Sequence, residues 1–290
     1  MSQLLALALG LLIGLSLGAL GGGGSILTVP ALVYAIGQSA QSATTSSLVI
    51  VGVTAAVAAV GHARAGHVRR GAGLAFGVAG VPASILGTGF NKHVAPSVLL
   101  VCFAVLMVIA AAAMLTKTLV TAHPHELADD QEAARLRSPA SVGRGSAAPA
   151  QQAFTAGRTP RDGMGGRVIT GGKVLAAGIV VGFLTGFLGV GGGFVIVPAL
   201  VLSLRYDMPT AVGTSLLVIS LNSGVALLAR SGHQTFHWSI IVPFTLAAVI
   251  GSAGGKRIAD RVSGTNLTRA FAVLLMAVAL YVFVRAGLGS

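Results

Sequence analysis

The sequence predicts an all-α polytopic membrane protein made of two inverted repeats. Each repeat is a glycine-broken helical hairpin, a long helix plus a half-helix, followed by three transmembrane helices. An apolar composition, a duplication at one fixed offset and a lopsided placement of basic residues predict this. Of the 290 residues, 54% are hydrophobic and only 9% charged, whereas a soluble domain carries about 25% charged residues. The remaining polar residues could not coat a water-facing surface. Forty-one glycines lie inside apolar runs without a collagen period, which excludes fibrous and low-complexity classes. A lone cysteine, Cys102, excludes a disulfide framework and a cysteine-based metal site.

Apolar runs fall at 3–20, 26–36, 44–61, 72–90 and 97–116, then at 173–188, 194–204, 211–229, 238–255 and 266–284. A helix needs about 20 apolar residues to span a bilayer, with about 17 as a working minimum. Eight runs are read as spans, 173–188 falling one residue short of that minimum, and the two short ones, 26–36 and 194–204, reach about halfway across at about 1.5 Å per residue. The first run has no basic segment before it and is echoed later in the chain, so it reads as a retained helix and not a cleaved leader. Residues 117–172 are rich in Ala, Gly, Ser, Arg and Pro and show no apolar period. They read as a flexible, dispensable linker, with a short helical-looking piece from Glu126 to Leu136. The chain thus divides into a first membrane repeat (1–116), the linker (117–172) and a second membrane repeat (173–290).

The duplication has an offset of 168 residues. Gly14, Gly18, Leu20, Gly21, Gly23, Gly24 and Val29–Val33 match Gly182, Gly186, Leu188, Gly189, Gly191, Gly192 and Val197–Val201, eleven identities in twenty ungapped positions. The same offset pairs Ser47 with Ser215, Ser84 with Ser252, and Phe103–Leu106 with Phe271–Leu274. Compositional bias would not hold one register over so long a stretch.

The basic residues set the orientation. If each hairpin enters and leaves on one side, each repeat crosses a net three times and the second is upside down. With the linker in the cytoplasm, 16 of the 19 bases fall inside and only Lys92, Arg230 and Arg285 outside, as the positive-inside rule requires. A single span over 3–36 gives 13 against 6 and a helix of about 50 Å, too long for a hydrocarbon core of about 30 Å. Basic loops of this kind and an aromatic content of 5% argue against nucleic acid as the source of the +12 net charge.

Non-helical backbone at membrane depth is tolerated where protein or a wet cavity satisfies it. Broken helices in inverted repeats present half-helix starts to anionic groups. The clusters Gly21, Gly22, Gly23, Gly24, Ser25 and Gly189, Gly191, Gly192, Gly193 stand just before the half-helices and form the expected site for a small anion. Gly14, Gly18, Gly182 and Gly186 read as close-packing positions. In the following helices, Ser47 and Thr54 share one face, and Ser215 and Asn222 repeat the pattern. These groups either hydrogen-bond a solute oxyanion or satisfy one another between helices. Ser46 and Thr214 are further candidate donors, or helix-start residues. The histidines His62, His67, His93, His233 and His237 lie at helix ends or loops and His123 and His125 in the linker, where interfacial or solvated roles are expected. No spacing fits a metal or a cofactor.

The doubled glycine hairpin, the Ala-x-x-Thr/Gly-Ser/Thr-Ser-Leu opening of the next helix and the Gly66-His67 and Gly232-His233 turns resemble the TauE/SafE sulfite exporter-like permeases. The likeness covers both repeats but not the linker. It implies a bacterial inner-membrane permease for sulfite, sulfonates or related organic acids. Ser25 facing Gly193 and Thr45 facing Gly213 across the repeat leave the substrate open. Neither Asp207 nor Asp260 lies within a predicted span, so a carboxylate proton relay is hard to build. The expectation is alternating-access export of a small anion, driven by the potential and its own gradient, between the two hairpin tips. An anion channel is the alternative, and an intramembrane enzyme the weaker one. The expected partners are the anion and the lipid bilayer, with homodimerisation open.

Overall fold

The computed structural model describes residues 2–91, 93–94, 98–99, 101–116, 164–188, 193–230 and 237–288. The regular elements among them are helices: α1 (Ser2–Leu20), α2 (Gly23–Pro30), α3 (Ala40–Arg64), α4 (Arg70–Asn91), α5 (Val101–Thr116), α6 (Met164–Leu188), α7 (Gly193–Ser203), α8 (Met208–Arg230), α9 (Trp238–Ala259) and α10 (Gly264–Leu288). Within α3, α4, α8, α9 and α10 lie segments long and apolar enough to cross a membrane. The apolar parts of α1, α5 and α6 are shorter, and α2 and α7 are the half-length pieces expected at 26–36 and 194–204. The start of α6 lies inside the stretch read as linker. The rest of that stretch, including the piece at Glu126–Leu136, lies outside the described residues.

Local sequence explains the breaks. Gly21 takes φ +74°, and its amide donates to the Leu17 carbonyl at 2.8 Å, closing α1. Pro30 ends α2 and lacks the amide an α-helix needs, and a π-helical turn follows over Ala31–Ala35. Ser39 caps α3, its hydroxyl accepting from the Ser42 amide. At the other end of α3, Gly66 (φ +78°) lets the His67 amide donate back to the His62 carbonyl at 3.0 Å, a Schellman turn. Asp207 caps α8, accepting from the Thr210 amide, and Ser263 caps α10 in the same way through Asn266.

Helices in lipid gain no hydrophobic drive from pairing, so small residues that let backbones approach decide the contacts. Gly14 and Gly18 of α1 lie on the backbone of Ala248 and Ser252 of α9 so closely that a methyl group would overlap it. One offset away, Gly182 and Gly186 of α6 lie on Gly80 and Ser84 of α4 in the same manner. Numbers rise together in both pairs, so α1 runs parallel to α9 and α6 to α4. The packing expected for these four glycines is therefore what holds each repeat to the other. Between α3 and α8 the order reverses: Gly52 meets Ser223, and further along α3 His62 meets Gly213. These two equivalent helices are antiparallel. Phe76 and Phe244, also equivalent, are fully buried, while large apolar side chains such as Leu12, Val78, Ile85, Ile250 and Leu280 are exposed on the outside.

Candidate functional site

The first hairpin turns at Gly21 and Gly22. Gly23, Gly24 and Ser25 already belong to α2, so the half-helix begins before Ser25 and not after it. The reason is steric. Gly23 lies against Ser16 and Gly24 against Ile13 and Leu17, where a Cβ on Gly24 would come within 2.6 Å of the Ile13 carbonyl. Only bare glycines let α2 fold straight back along α1. No side chain caps the start of α2. The Ser25 hydroxyl donates to the Gly22 carbonyl at 2.7 Å, and Thr28 donates to Gly24 at 2.8 Å.

The start of α7 meets the tip of the first hairpin. α7 begins at Gly193, whose carbonyl sits where any Cβ on Gly22 would stand, and the Ser25 hydroxyl lies beside Gly193 itself. Gly193 also touches Ile219, the central residue of α8, so the meeting point lies about halfway along that helix. Gly21 is enclosed by Ser215, Val212 and Val197, with the Ser215 Oγ only 2.7 Å from where a Cβ would stand. The tips thus bring together Gly21, Gly22, Ser25, Gly193 and Ser215, all buried. Gly189, Gly191 and Gly192 lie outside the described residues.

The remaining predicted donors are all at least partly buried but not all at the tips. Ser215 donates to the Val212 carbonyl at 2.8 Å and Ser47 to Thr44 at 2.8 Å, so both hydroxyls are tied to their own helices. Ser46 is buried. Thr214 turns away from the tips, its Oγ1 accepting from the Arg69 amide at 3.2 Å. Thr54 is 1% exposed and its hydroxyl has no hydrogen-bond partner among the described residues; the Asn222 carbonyl oxygen is in the same condition. The antiparallel pairing of α3 with α8 sets Thr54 and Asn222 at the same level. An unpaired buried polar group costs about 1–3 kcal/mol, a cost that packing alone gives no reason to carry. Ser16 is a third such group. It lies against Gly23 and was not among the expected residues, because its equivalent in the second repeat is Leu184 and it left no trace in the duplication.

A cavity of about 390 Å³ opens near the first tip, lined by Ala19, His62, His67, Val212, Asp260 and Leu267 among others. Val212 is also a wall of Gly21, so cavity and tip adjoin. The surrounding helix ends and turns carry Arg64, Arg69, Arg70, Arg205, Lys256, Arg257, Arg261 and Arg269, all bases that the charge distribution placed on the linker's side. His62 was expected at an interface or in solvent; it is 2% exposed. It is buried because Gly18 and Gly213, remote in sequence, close over it. Among the described residues no three His, Cys, Asp or Glu side chains group as metal ligands. The described residues of this junction contribute the Ser25 and Ser215 hydroxyls and backbone groups.

Known proteins resemble this chain over nearly its whole length. The family model "Sulfite exporter TauE/SafE" matches residues 6–282. A probable membrane transporter protein of Xylella fastidiosa (strain 9a5c) is 30% identical over 287 residues, covering 98% of this chain and 96% of the relative. The probable membrane transporter protein YunE of Bacillus subtilis is 24% identical over 291 residues, covering 97% and 96%. No solved structure matches. The chain belongs to the sulfite exporter TauE/SafE family and is a multi-pass membrane transporter, not an enzyme.

Proposed function

We propose that the chain is a permease that exports small oxyanions, sulfite, sulfonates or related organic acids, by alternating access around the junction of the two hairpin tips. The observation that carries this reading is the meeting of Gly21, Gly22 and Ser25 with Gly193 and Ser215 halfway along α8. An uncapped half-helix start at that depth favours negative charge. Thr54 and Ser16 add unpaired hydroxyls that can donate to a bound oxyanion, and the Asn222 side chain can do so only through its amide NH2, since its unpaired carbonyl oxygen is itself an acceptor. Two inverted repeats are supported by the antiparallel course of the equivalent helices α3 and α8, and by the exchange of partners between α1·α9 and α6·α4. Placement in a bacterial inner membrane with the linker in the cytoplasm is the reading that the positive-inside bias of the basic residues supports. An anion leaving an inside-negative cell gains about 2.3 kcal/mol per charge per 100 mV, enough to drive export without a coupling ion.

The test is flux of sulfite and of short sulfonates in proteoliposomes of the purified protein. Saturable flux that responds to an imposed potential, shows counterflow and disappears in Gly22→Leu supports the proposal. Flux that requires a proton gradient and ignores the potential overturns the energetics, and unsaturable current marks a channel instead.

A further inference from the structure

The cavity beside the first tip has chemistry that the duplication does not repeat. Its geometry begins with a local turn. The Schellman closure of α3 around Gly66 fixes His62 and His67 side by side, ring centroids 6.4 Å apart. The Nε2 of His62 lies 3.2 Å from the Gly18 carbonyl. A carbonyl can only accept, so Nε2 carries the hydrogen and the neutral ring keeps a bare lone pair on Nδ1. That Nδ1 and the Nδ1 of His67 are sheltered and have no hydrogen-bond partner among the described residues. The titratable and charged groups acting on the ring are His67 from the α3–α4 turn and Lys256 and Asp260 from α9. From α8 and α10 the cavity receives only Pro209, Val212 and Leu267, and Gly213 packs on the His62 Cβ.

Lys256 and Asp260 neutralise each other at 2.6 Å, with the lysine stem laid over Gly61. With its Nε2 hydrogen committed to Gly18, the neutral His62 ring therefore offers the cavity no charge and no free donor. A proton taken from water onto Nδ1 changes both at once, creating a positive charge and a sheltered N–H. One offset of 168 away, the positions equivalent to His62, Lys256 and Asp260 are held by Arg230 of the second repeat and by Thr88 and Lys92 of the first, so the scaffold itself does not demand this set.

We propose that this cavity is the vestibule where a small sulfonate or carboxylate is first held, and that His62 binds it as an imidazolium formed when the anion arrives. The proposal rests on the reading that the chain transports small anions. Each anion bound then takes up one proton. Affinity rises with acidity by up to about tenfold per pH unit wherever the empty site holds a neutral ring.

The experiment is isothermal titration of the full-length protein in detergent with methanesulfonate, whose own charge is fixed, between about pH 6 and pH 8. Titrations in two buffers of different ionisation enthalpy count the protons. The wild type should bind more tightly toward acid and take up close to one proton, and His62→Gln should lose both effects while melting near the wild type. The control His93→Gln, at an exposed turn after α4, should keep both. Binding without pH dependence or proton uptake, or either effect surviving in His62→Gln, overturns the proposal and leaves anion transport standing. Absence of binding by the wild type at every pH overturns both. Should His62→Gln fail to fold, His62→Asn and the wild-type proton count decide the matter.

Discussion

Replacing Gly21 with alanine tests whether the two hairpin tips are truly in contact. Two costs add at this residue. A side chain at φ +74° is disfavoured by about 1–2 kcal/mol. The new methyl would also stand 2.7 Å from the Ser215 hydroxyl and 3.2 Å from Val197 and from the Val212 backbone, and overpacking of this kind costs about 1–3 kcal/mol. The sum is about 2–5 kcal/mol. Two other glycines isolate the first cost: Gly37 (φ +79°) and Gly66 (φ +78°) have nothing within 4 Å of a built Cβ. Gly37→Ala and Gly66→Ala should therefore lose only about 1–2 kcal/mol. Thermal and denaturant unfolding in one detergent would compare the three. The double variant Gly21→Ala/Ser215→Gly, which removes the nearest obstacle, should recover part of the difference. If Gly21→Ala unfolds no more easily than Gly37→Ala, the first tip is not packed against α7 and α8 as described and the assignment of the site to that junction is wrong.

The buried unpaired atoms make a contrasting prediction. Thr54→Val and Asn222→Leu should leave stability unchanged or raise it by up to about 1–2 kcal/mol, because a costly unpaired polar group is removed, yet both should slow flux at least tenfold; unchanged flux would make them structural. Gly14→Leu and Gly182→Leu should both prevent accumulation of folded protein, seen by size-exclusion chromatography, since each side chain would have to enter a facing backbone. With Cys102 first replaced, Arg64→Cys should react with an impermeant maleimide from the cytoplasmic side and Arg230→Cys from the opposite side; labelling of both from one side contradicts inversion. Deleting residues 125–160 should leave flux in proteoliposomes near the wild-type value.

Much of this was legible because repetition and composition are local signals. The offset of 168 located both hairpins, and the half-length runs at 26–36 and 194–204 became the return helices α2 and α7. Gly14, Gly18, Gly182 and Gly186 were readable as packing positions, but not their partners. Nothing near Gly14 specifies Ala248, since that choice depends on where the whole of α9 comes to lie. The start of α2 was misjudged for a steric reason: a run of glycines reads as a loop from propensity alone, whereas contact with α1 rewards helix at Gly23 and Gly24. His62 was read as interfacial or solvated because its burial was judged from its place at a helix end, while Gly18 and Gly213, distant in the chain, are what enclose it. The one available clue was the His-x-x-x-Gly-His spacing of the Schellman turn.

The glycine seams between α1 and α9 and between α6 and α4 carry a consequence for how such a molecule can move and arise. Backbones that interlock this tightly resist separation, so on the proposed alternating-access reading each moving body combines helices from both halves. A solitary copy of the ancestral unit would have exposed one such seam along its first helix and another along its fourth. It could close them only on a second copy. Fragments severed within the linker and produced in one cell should accordingly find each other and rebuild a working pair.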